Sequence, residues 1–162
     1  MIRQLHSDDR SQIVELVKVT GNFSDSEVEI AKELIDVCIE DPGQSDYFTF
    51  VYEDAETKRI AGFLIMGPTP ATAGTYDMYW IASHPDFYGR GIAQSLDAKA
   101  MEFVRERNGY LIIAETSSQK SYERTRGFYQ KQGYAKVSQI TDYYKPGDDL
   151  IVFGKRVDGL KA

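Results

Sequence analysis

Apolar residues recur at two spacings along this chain, and each change of spacing marks an element. Ile2 to Leu5 alternates with polar neighbours and predicts an edge strand. Ser7-Asp8-Asp9 offers N-cap candidates for a helix that places Ile13, Leu16, Val17 and Thr20 on one face and ends at Gly21-Asn22. Ser24-x-x-Glu27 has capping-box spacing and opens a second helix through about Glu40, stopped by Asp41-Pro42-Gly43. Cys38 falls on its apolar stripe with Val28, Ala31, Leu34 and Ile35, which predicts a core role for the thiol. Tyr47 to Glu53 and Ile60 to Gly67 then read as strands, and the charged turn Asp54 to Arg59 between them predicts an antiparallel hairpin.

After a small-residue loop from Pro68 to Gly74, an aromatic and β-branched run from Tyr76 to Ser83 meets His84-Pro85-Asp86-Phe87 and then Tyr88-Gly89-Arg90-Gly91-Ile92-Ala93. The period changes there from near two to near four. Ile92, Leu96, Ala100, Phe103 and Val104 mark one face of a long helix that ends at Asn108-Gly109. Tyr110 to Thr116 follows as a buried strand. Strand, helix, strand in this order predicts a parallel pair with a right-handed crossover. A helix from near Ser118 to Gln132 comes next, and Tyr134 to Thr141 with Leu150 to Val157 is expected to form a closing hairpin across the loop Asp142 to Asp149.

The junction at Gly89 and Gly91 carries the chemistry. A helix N-terminus leaves its first amides without intrahelical partners and presents the positive end of its dipole, so it is a socket for an anion. Glycine there keeps side chains from holding a phosphate away from those amides. Two familiar phosphate loops do not match. No Gly-x-x-x-x-Gly-Lys-Ser/Thr string occurs, and Gln94 stands where the third glycine of Gly-x-Gly-x-x-Gly belongs. Tyr88 to Ala93 instead resembles the acyl-CoA pyrophosphate loop, Gln/Arg-x-x-Gly-x-Gly/Ala, of the GCN5-related N-acetyltransferases (GNAT), with Tyr88 where that family usually has Gln or Arg. Phe128-Tyr129-Gln130-Lys131-Gln132-Gly133-Tyr134 is similar to the family's Phe/Leu-Tyr-x-x-x-Gly-Phe/Tyr helix ending, and it lies one helix, one strand and the start of another helix downstream.

The resemblance implies one acetyltransferase domain over residues 1–162, an α/β fold with a mixed, mostly antiparallel sheet flanked by helices, and a central parallel pair that splays to admit the pantetheine arm. It implies acetyl-CoA as cosubstrate and contacts to it from Ile81, Ala82, Ser83, Tyr88, Gly89, Arg90, Gly91, Ile92, Ala93 and Tyr122. The expected reaction is acetyl transfer to a primary amine of a small molecule or peptide by direct attack in a ternary complex. Tyr129 is the candidate for assisting the leaving thiolate, since Tyr122, Thr125, Arg126 and Tyr129 fall on one helix face. A core aromatic is the alternative role. Glu115, at the end of the second parallel strand, is the base candidate, or else an ion-paired strand-end residue. Asp77 is disfavoured as base because six residues of strand, roughly 20 Å, separate it from Ser83. Another activity class, a non-catalytic acyl-CoA sensor, fits the same loop.

Composition narrows the partners. With 42% hydrophobic and 27% charged residues, the chain reads as a globular protein. A net charge of −6 without a Lys/Arg cluster disfavours nucleic acid and anionic membrane and mildly favours a cationic acceptor. Cys38 is the only cysteine, so an intramolecular disulfide is impossible; no apolar run is long enough to span a bilayer, and the cytoplasm is the expected location. His6 and His84 have no partners spaced for a metal site and read as loop residues, so no metal is expected. Carboxylates and aromatics make Asp142 to Asp149 either a specificity loop for a cation or a turn. The expected assembly is a monomer or homodimer.

Overall fold

A computed structural model describes residues 1–157. The strands are β1 (Ile2–Gln4), β2 (Phe48–Glu53), β3 (Ile60–Pro68), β4 (Thr75–Ser83), β5 (Leu111–Ser117), β6 (Ala135–Lys145) and β7 (Asp148–Arg156). The helices are α1 (Arg10–Val19), α2 (Asp25–Glu40), α3 (Ile92–Glu106) and α4 (Glu123–Lys131). The seven strands form one mixed sheet in the order β1-β2-β3-β4-β5-β7-β6. Its parallel pair is β4 with β5, registered from Thr75↔Leu111 to Met78↔Ala114, while β1·β2, β2·β3, β5·β7 and β6·β7 are antiparallel. No helix among the described residues is long and apolar enough to cross a membrane.

The chain divides into two compact units, Met1–Gly67 with Tyr79–Ala100, and Pro68–Met78 with the chain from Met101 onward. In the first, Ile13, Leu16 and Val17 of α1 and Val28, Ala31 and Ile35 of α2 pack on Val51, Phe63, Ile65 and Ala82. The apolar spacing of α1 and α2 is thus explained by this shared core. The predicted capping box forms: Ser24 Oγ accepts from the Glu27 N–H, and Glu27 Oε2 accepts from the Ser24 N–H at 2.7 Å. Such a cap stabilises a helix by about 1 kcal/mol. Cys38 is half-buried, with the Thr49 hydroxyl donating to its Sγ at 3.4 Å, and desolvation pushes its thiol pKa up.

β3 is buried along Ile60–Gly67 because it has a covered layer on both faces. Phe63 and Ile65 face α1 and α2, whereas Gly62, on the alternate face, lies under the start of α3. A Cβ on Gly62 would stand 2.5 Å from Ile92 Cγ2 and 2.9 Å from the Ala82 carbonyl oxygen. The bare glycine therefore sets how closely α3 approaches the sheet.

In the second unit, Tyr129, Tyr134 and Phe153 form an aromatic cluster with ring centroids 5.2 to 5.5 Å from Tyr129. Phe103 meets Tyr76 edge-on at 6.2 Å. The closing hairpin differs from expectation: β6 and β7 run on to Lys145↔Asp148, which leaves only Pro146-Gly147 as the turn. Gly147 supplies the left-handed φ of 80° that this reversal needs. The β5–α4 connection also differs. Ser118 does not cap the helix; a 3-10 turn over Lys120–Tyr122 precedes α4.

Gly62→Ala should lower unfolding free energy by about 1–3 kcal/mol, since neither the Ala82 backbone nor the buried Ile92 can yield without strain. Urea denaturation monitored by circular dichroism would measure it.

Candidate active site

In the first unit, β4 leads into the glycine turn. His84 Nδ1 accepts from the Asp86 N–H at 3.2 Å and caps a 3-10 turn over Pro85–Phe87. Phe87 is buried, and the guanidinium groups of Arg59 and Arg90 lie 5.3 and 5.1 Å from its ring centroid. Gly89 and Gly91 have φ of 81° and 72°, a region that costs a side-chain-bearing residue roughly 1–2 kcal/mol. No atom lies within 4 Å of a Cβ on Gly89, and a Cβ on Gly91 would meet only Gln94 Oε1 at 3.9 Å. Both glycines are therefore demanded by backbone conformation, and the space beside them is open.

The Ser95 N–H donates to the Gly91 carbonyl oxygen at 2.9 Å, so the amides of Ile92, Ala93 and Gln94 precede the first intrahelical bond of α3. Ile92 is buried and fixes this end of the helix in the core. Open glycines ahead of dipole-aligned amides fit a diphosphate. Tyr88 and Arg90 are exposed at the rim. Arg90 Nη1 is 3.5 Å from Asp54 Oδ1, a loose pair on an exposed side chain. Ala82 is buried in the α1–α2 core, and Ile81 and Ser83 are half-buried. The Nε1 of Trp80 is buried without a hydrogen-bond partner.

In the second unit the unbroken β5–β7 register fixes which side chains share a face. Ala114, Thr116, Phe153 and Ile151 lie on one, Ile113, Glu115, Gly154 and Val152 on the other. The Tyr129 ring packs 5.5 Å from Phe153, hence on the face opposite Glu115. Tyr129 is buried, and Tyr122 is half-buried at the start of α4. The Glu115 carboxyl is pushed up from its ordinary pKa, first by desolvation and then by repulsion from Asp77. Its side chain still reaches solvent, so the desolvation is partial.

Asp77 lies on the Glu115 face because it is registered with Ile113, and its Oδ2 accepts from the Thr69 hydroxyl at 2.8 Å. Counting along β4 alone puts Asp77 far from the strand's end; the stagger of the parallel pair brings it close enough to act on Glu115. Sequence reasoning also missed Thr116. Its hydroxyl is buried on the Tyr129 face without a partner, and a lone threonine in a strand carries no signal of that. Among the described residues no group of three or more His, Cys, Asp or Glu is placed to hold a metal ion.

The loop Asp142 to Asp149 uses its carboxylates internally. Asp142 Oδ1 accepts from the Gly147 N–H, Asp149 Oδ1 from the Asp142 N–H, and buried Asp148 Oδ1 from the Ser117 hydroxyl. The turn reading explains these acids without a bound cation.

A family model described as an acetyltransferase (GNAT) domain matches residues 45–136, more than half of the chain. The chain belongs to the GNAT acetyltransferases. A GNAT-family structure from Desulfovibrio desulfuricans shares 34% identity, covering 97% of this chain and 98% of that one, with a TM-score of 0.91. Two more distant structures match in fold. An aminoglycoside 6'-N-acetyltransferase in complex with coenzyme A has 16% identity, 97% coverage of both chains and a TM-score of 0.75. The ribosomal-protein-S18-alanine N-acetyltransferase of Escherichia coli has 15% identity, coverage of 100% and 99%, and a TM-score of 0.75. No curated protein sequence matches significantly. As a GNAT member, this chain is an acetyl-CoA-dependent N-acetyltransferase.

A buried hydroxyl without a partner costs about 1–3 kcal/mol. Thr116→Val should therefore raise the stability of the protein by about 1 kcal/mol. Differential scanning calorimetry measures it; a destabilised variant would show the hydroxyl already satisfied.

Proposed function

We propose that this GNAT transfers the acetyl group directly to a primary amine of a small molecule or peptide, with Glu115 as general base and Tyr129 assisting the leaving group. The observation that carries this reading is their placement on opposite faces of β5 at one level of the strand: Tyr129 packs on Phe153, whose registered partner Ala114 precedes Glu115. Nucleophile and leaving group are both bonded to one carbon in the tetrahedral intermediate, so each side chain would have to reach the thioester from its own face of β5.

Bound acetyl-CoA supplies the thioester carbon and the thiolate that departs. The open turn at Gly89 and Gly91 would hold its diphosphate through the amides at the start of α3, with Tyr88, Arg90, Ile92 and Ala93 around them. Ile81, Ala82 and Ser83 of β4 and Tyr122 of α4 are proposed as further cofactor contacts.

A lysine-like amine is mostly protonated at neutral pH, and removing the proton costs about 4–5 kcal/mol. Glu115 is suited to receive it because desolvation and Asp77 both favour its protonated form. The ammonium first loses one proton, relayed to solvent; as the C–N bond then forms and the C–S bond breaks, the second nitrogen proton passes to the Glu115 carboxylate and the sulfur leaves as thiolate with the bonding pair. A phenol near pKa 10 is a weaker acid than a thiol near 8.5, so full proton transfer from Tyr129 is uphill by roughly 2 kcal/mol. Tyr129 therefore donates a hydrogen bond that strengthens as charge builds on sulfur. The net charge of −6 favours a cationic acceptor.

A thiol-release assay over polyamines, aminoglycosides, amino acids and peptide N-termini tests the acceptor class. Tight acetyl-CoA binding without turnover on any amine would overturn the reading in favour of a sensor.

Two substitutions test the roles. Tyr129→Phe should lower kcat about 100-fold while the KM for acetyl-CoA stays within about twofold. Glu115→Gln should lower kcat/KM by about 100-fold and abolish the acid limb of its pH profile. In the native protein that limb should lie above the ordinary carboxylate range, because activity is lost as falling pH protonates a carboxyl whose pKa is already raised.

A further inference from the structure

The exit of β5 is tied down far more heavily than a surface loop requires. Arg126, on α4, donates from one guanidinium nitrogen to two carbonyl oxygens of that exit, Ser117 O at 2.7 Å and Gln119 O at 2.8 Å. Ser117 Oγ donates to the buried carboxylate of Asp148 at 2.5 Å and accepts from the Gln119 N–H at 3.0 Å. Gln119 Nε2 reaches the Gly147 carbonyl at 3.0 Å, and Ser118 exchanges two bonds with Asp149, its N–H to the carbonyl at 2.9 Å and its Oγ from the N–H at 2.8 Å. Ser117 and Gln119 are thereby joined to α4, and all three successive residues, Ser117, Ser118 and Gln119, to the β6–β7 hairpin.

Two features separate this set from ordinary loop bonding. Asp148 and Ser117 are each only 7% exposed, so the bond between them lies in a setting where the loss of either partner leaves a buried polar group unsatisfied. Arg126 contributes a charged donor to two neutral carbonyls, which strengthens both bonds. It is also three residues, about one helical turn, before Tyr129 on the same face of α4.

We propose that Arg126, with the Ser117–Asp148 pair behind it, is a positioning residue for the reaction: it sets the rotation and height of α4 against β5 and so places the Tyr129 hydroxyl. The proposal rests on the leaving-group reading of Tyr129 and adds to it the residues that hold the phenol in line. Both guanidinium bonds end on backbone carbonyls, so Arg126 acts through the strand exit. A helix held by one packed ring alone, Tyr129 on Phe153, could turn by a fraction of a side chain's width. The two guanidinium bonds, one turn away, remove that freedom.

The test is a double-mutant cycle between Arg126→Met and Tyr129→Phe, with kcat and the KM for acetyl-CoA read at saturating amine. Arg126→Met should lower kcat about 10-fold in the native background with KM within about twofold, and should lower it less than twofold in Tyr129→Phe. Arg126→Lys, which can keep one of the two bonds, should recover part of the rate and serves for the cycle should the methionine variant not fold. Equal losses in both backgrounds would mean a general structural role and overturn the proposal. So would an unchanged kcat in the native background. If Tyr129→Phe alone leaves kcat unchanged, the leaving-group reading fails by itself, and any loss in Arg126→Met then belongs to another cause.

Discussion

The placement of Glu115, Thr116 and Tyr129 depends on the seven-residue register between β5 and β7 running without a bulge, from Leu111↔Arg156 to Ser117↔Leu150. Strict alternation along that ladder sends Glu115 to one face and Thr116 to the other, and the partner Phe153 gives Tyr129 its seat. A slip of one residue would exchange the faces, burying the Glu115 carboxylate among aromatics and carrying the Phe153 ring away from α4. The outer strand shows that register is not automatic here. β6 pairs with β7 irregularly at Lys136/Ser138 and again between Ile140 and Lys145, and each of its residues is exposed.

Binding a polyanion to a chain of net charge −6 sets local against global electrostatics. Repulsion from remote acids is screened over a Debye length of about 8 Å at physiological salt, whereas amides at a helix N-terminus would touch the phosphate oxygens directly. Short range therefore decides. The two guanidinium groups over Phe87 add positive charge within one turn of the glycines, but each has an acidic neighbour, Asp86 for Arg59 at 3.0 Å and Asp54 for Arg90 at 3.5 Å. Asp54 is itself held below the usual carboxylate range chiefly by the Thr57 N–H and hydroxyl, with Arg90 a smaller contributor, so its charge persists beside the turn.

What could be read from the residues was what short-range physics dictates. Ser24-x-x-Glu27 closed into a capping box, and the space beside Gly89 and Gly91 is open as a phosphate turn needs, although their left-handed φ was not anticipated. Elements held by tertiary bonds were not legible. Asp142, Asp148 and Asp149 look like free acids in a turn-rich string, and only the folded hairpin shows each accepting a bond from Gly147, Ser117 and Asp142. Ser118 has the composition of a helix cap, yet its Oγ accepts from Asp149, and the chain makes a 3-10 turn before α4 begins. The nearness of Asp77 to Glu115 was not legible for a geometric reason: distance along one strand says nothing about its neighbour until the parallel register is known.

That register has a chemical consequence. Asp77 and Glu115 share a face, and because like charges disfavour simultaneous ionisation, the less stabilised carboxylate moves up. Asp77 accepts a hydrogen bond from the Thr69 hydroxyl, while desolvation and Asp77 itself both push the Glu115 pKa up. The raised pKa suits Glu115 to the role of proton acceptor proposed for it. The thickness of β5 meanwhile keeps this carboxylate away from the phenol of Tyr129, which lies on the other face. A base and a hydrogen-bond donor placed side by side would bond to each other and spend their capacity there. On opposite faces of one strand, the carboxylate and the phenol sit in separate surroundings.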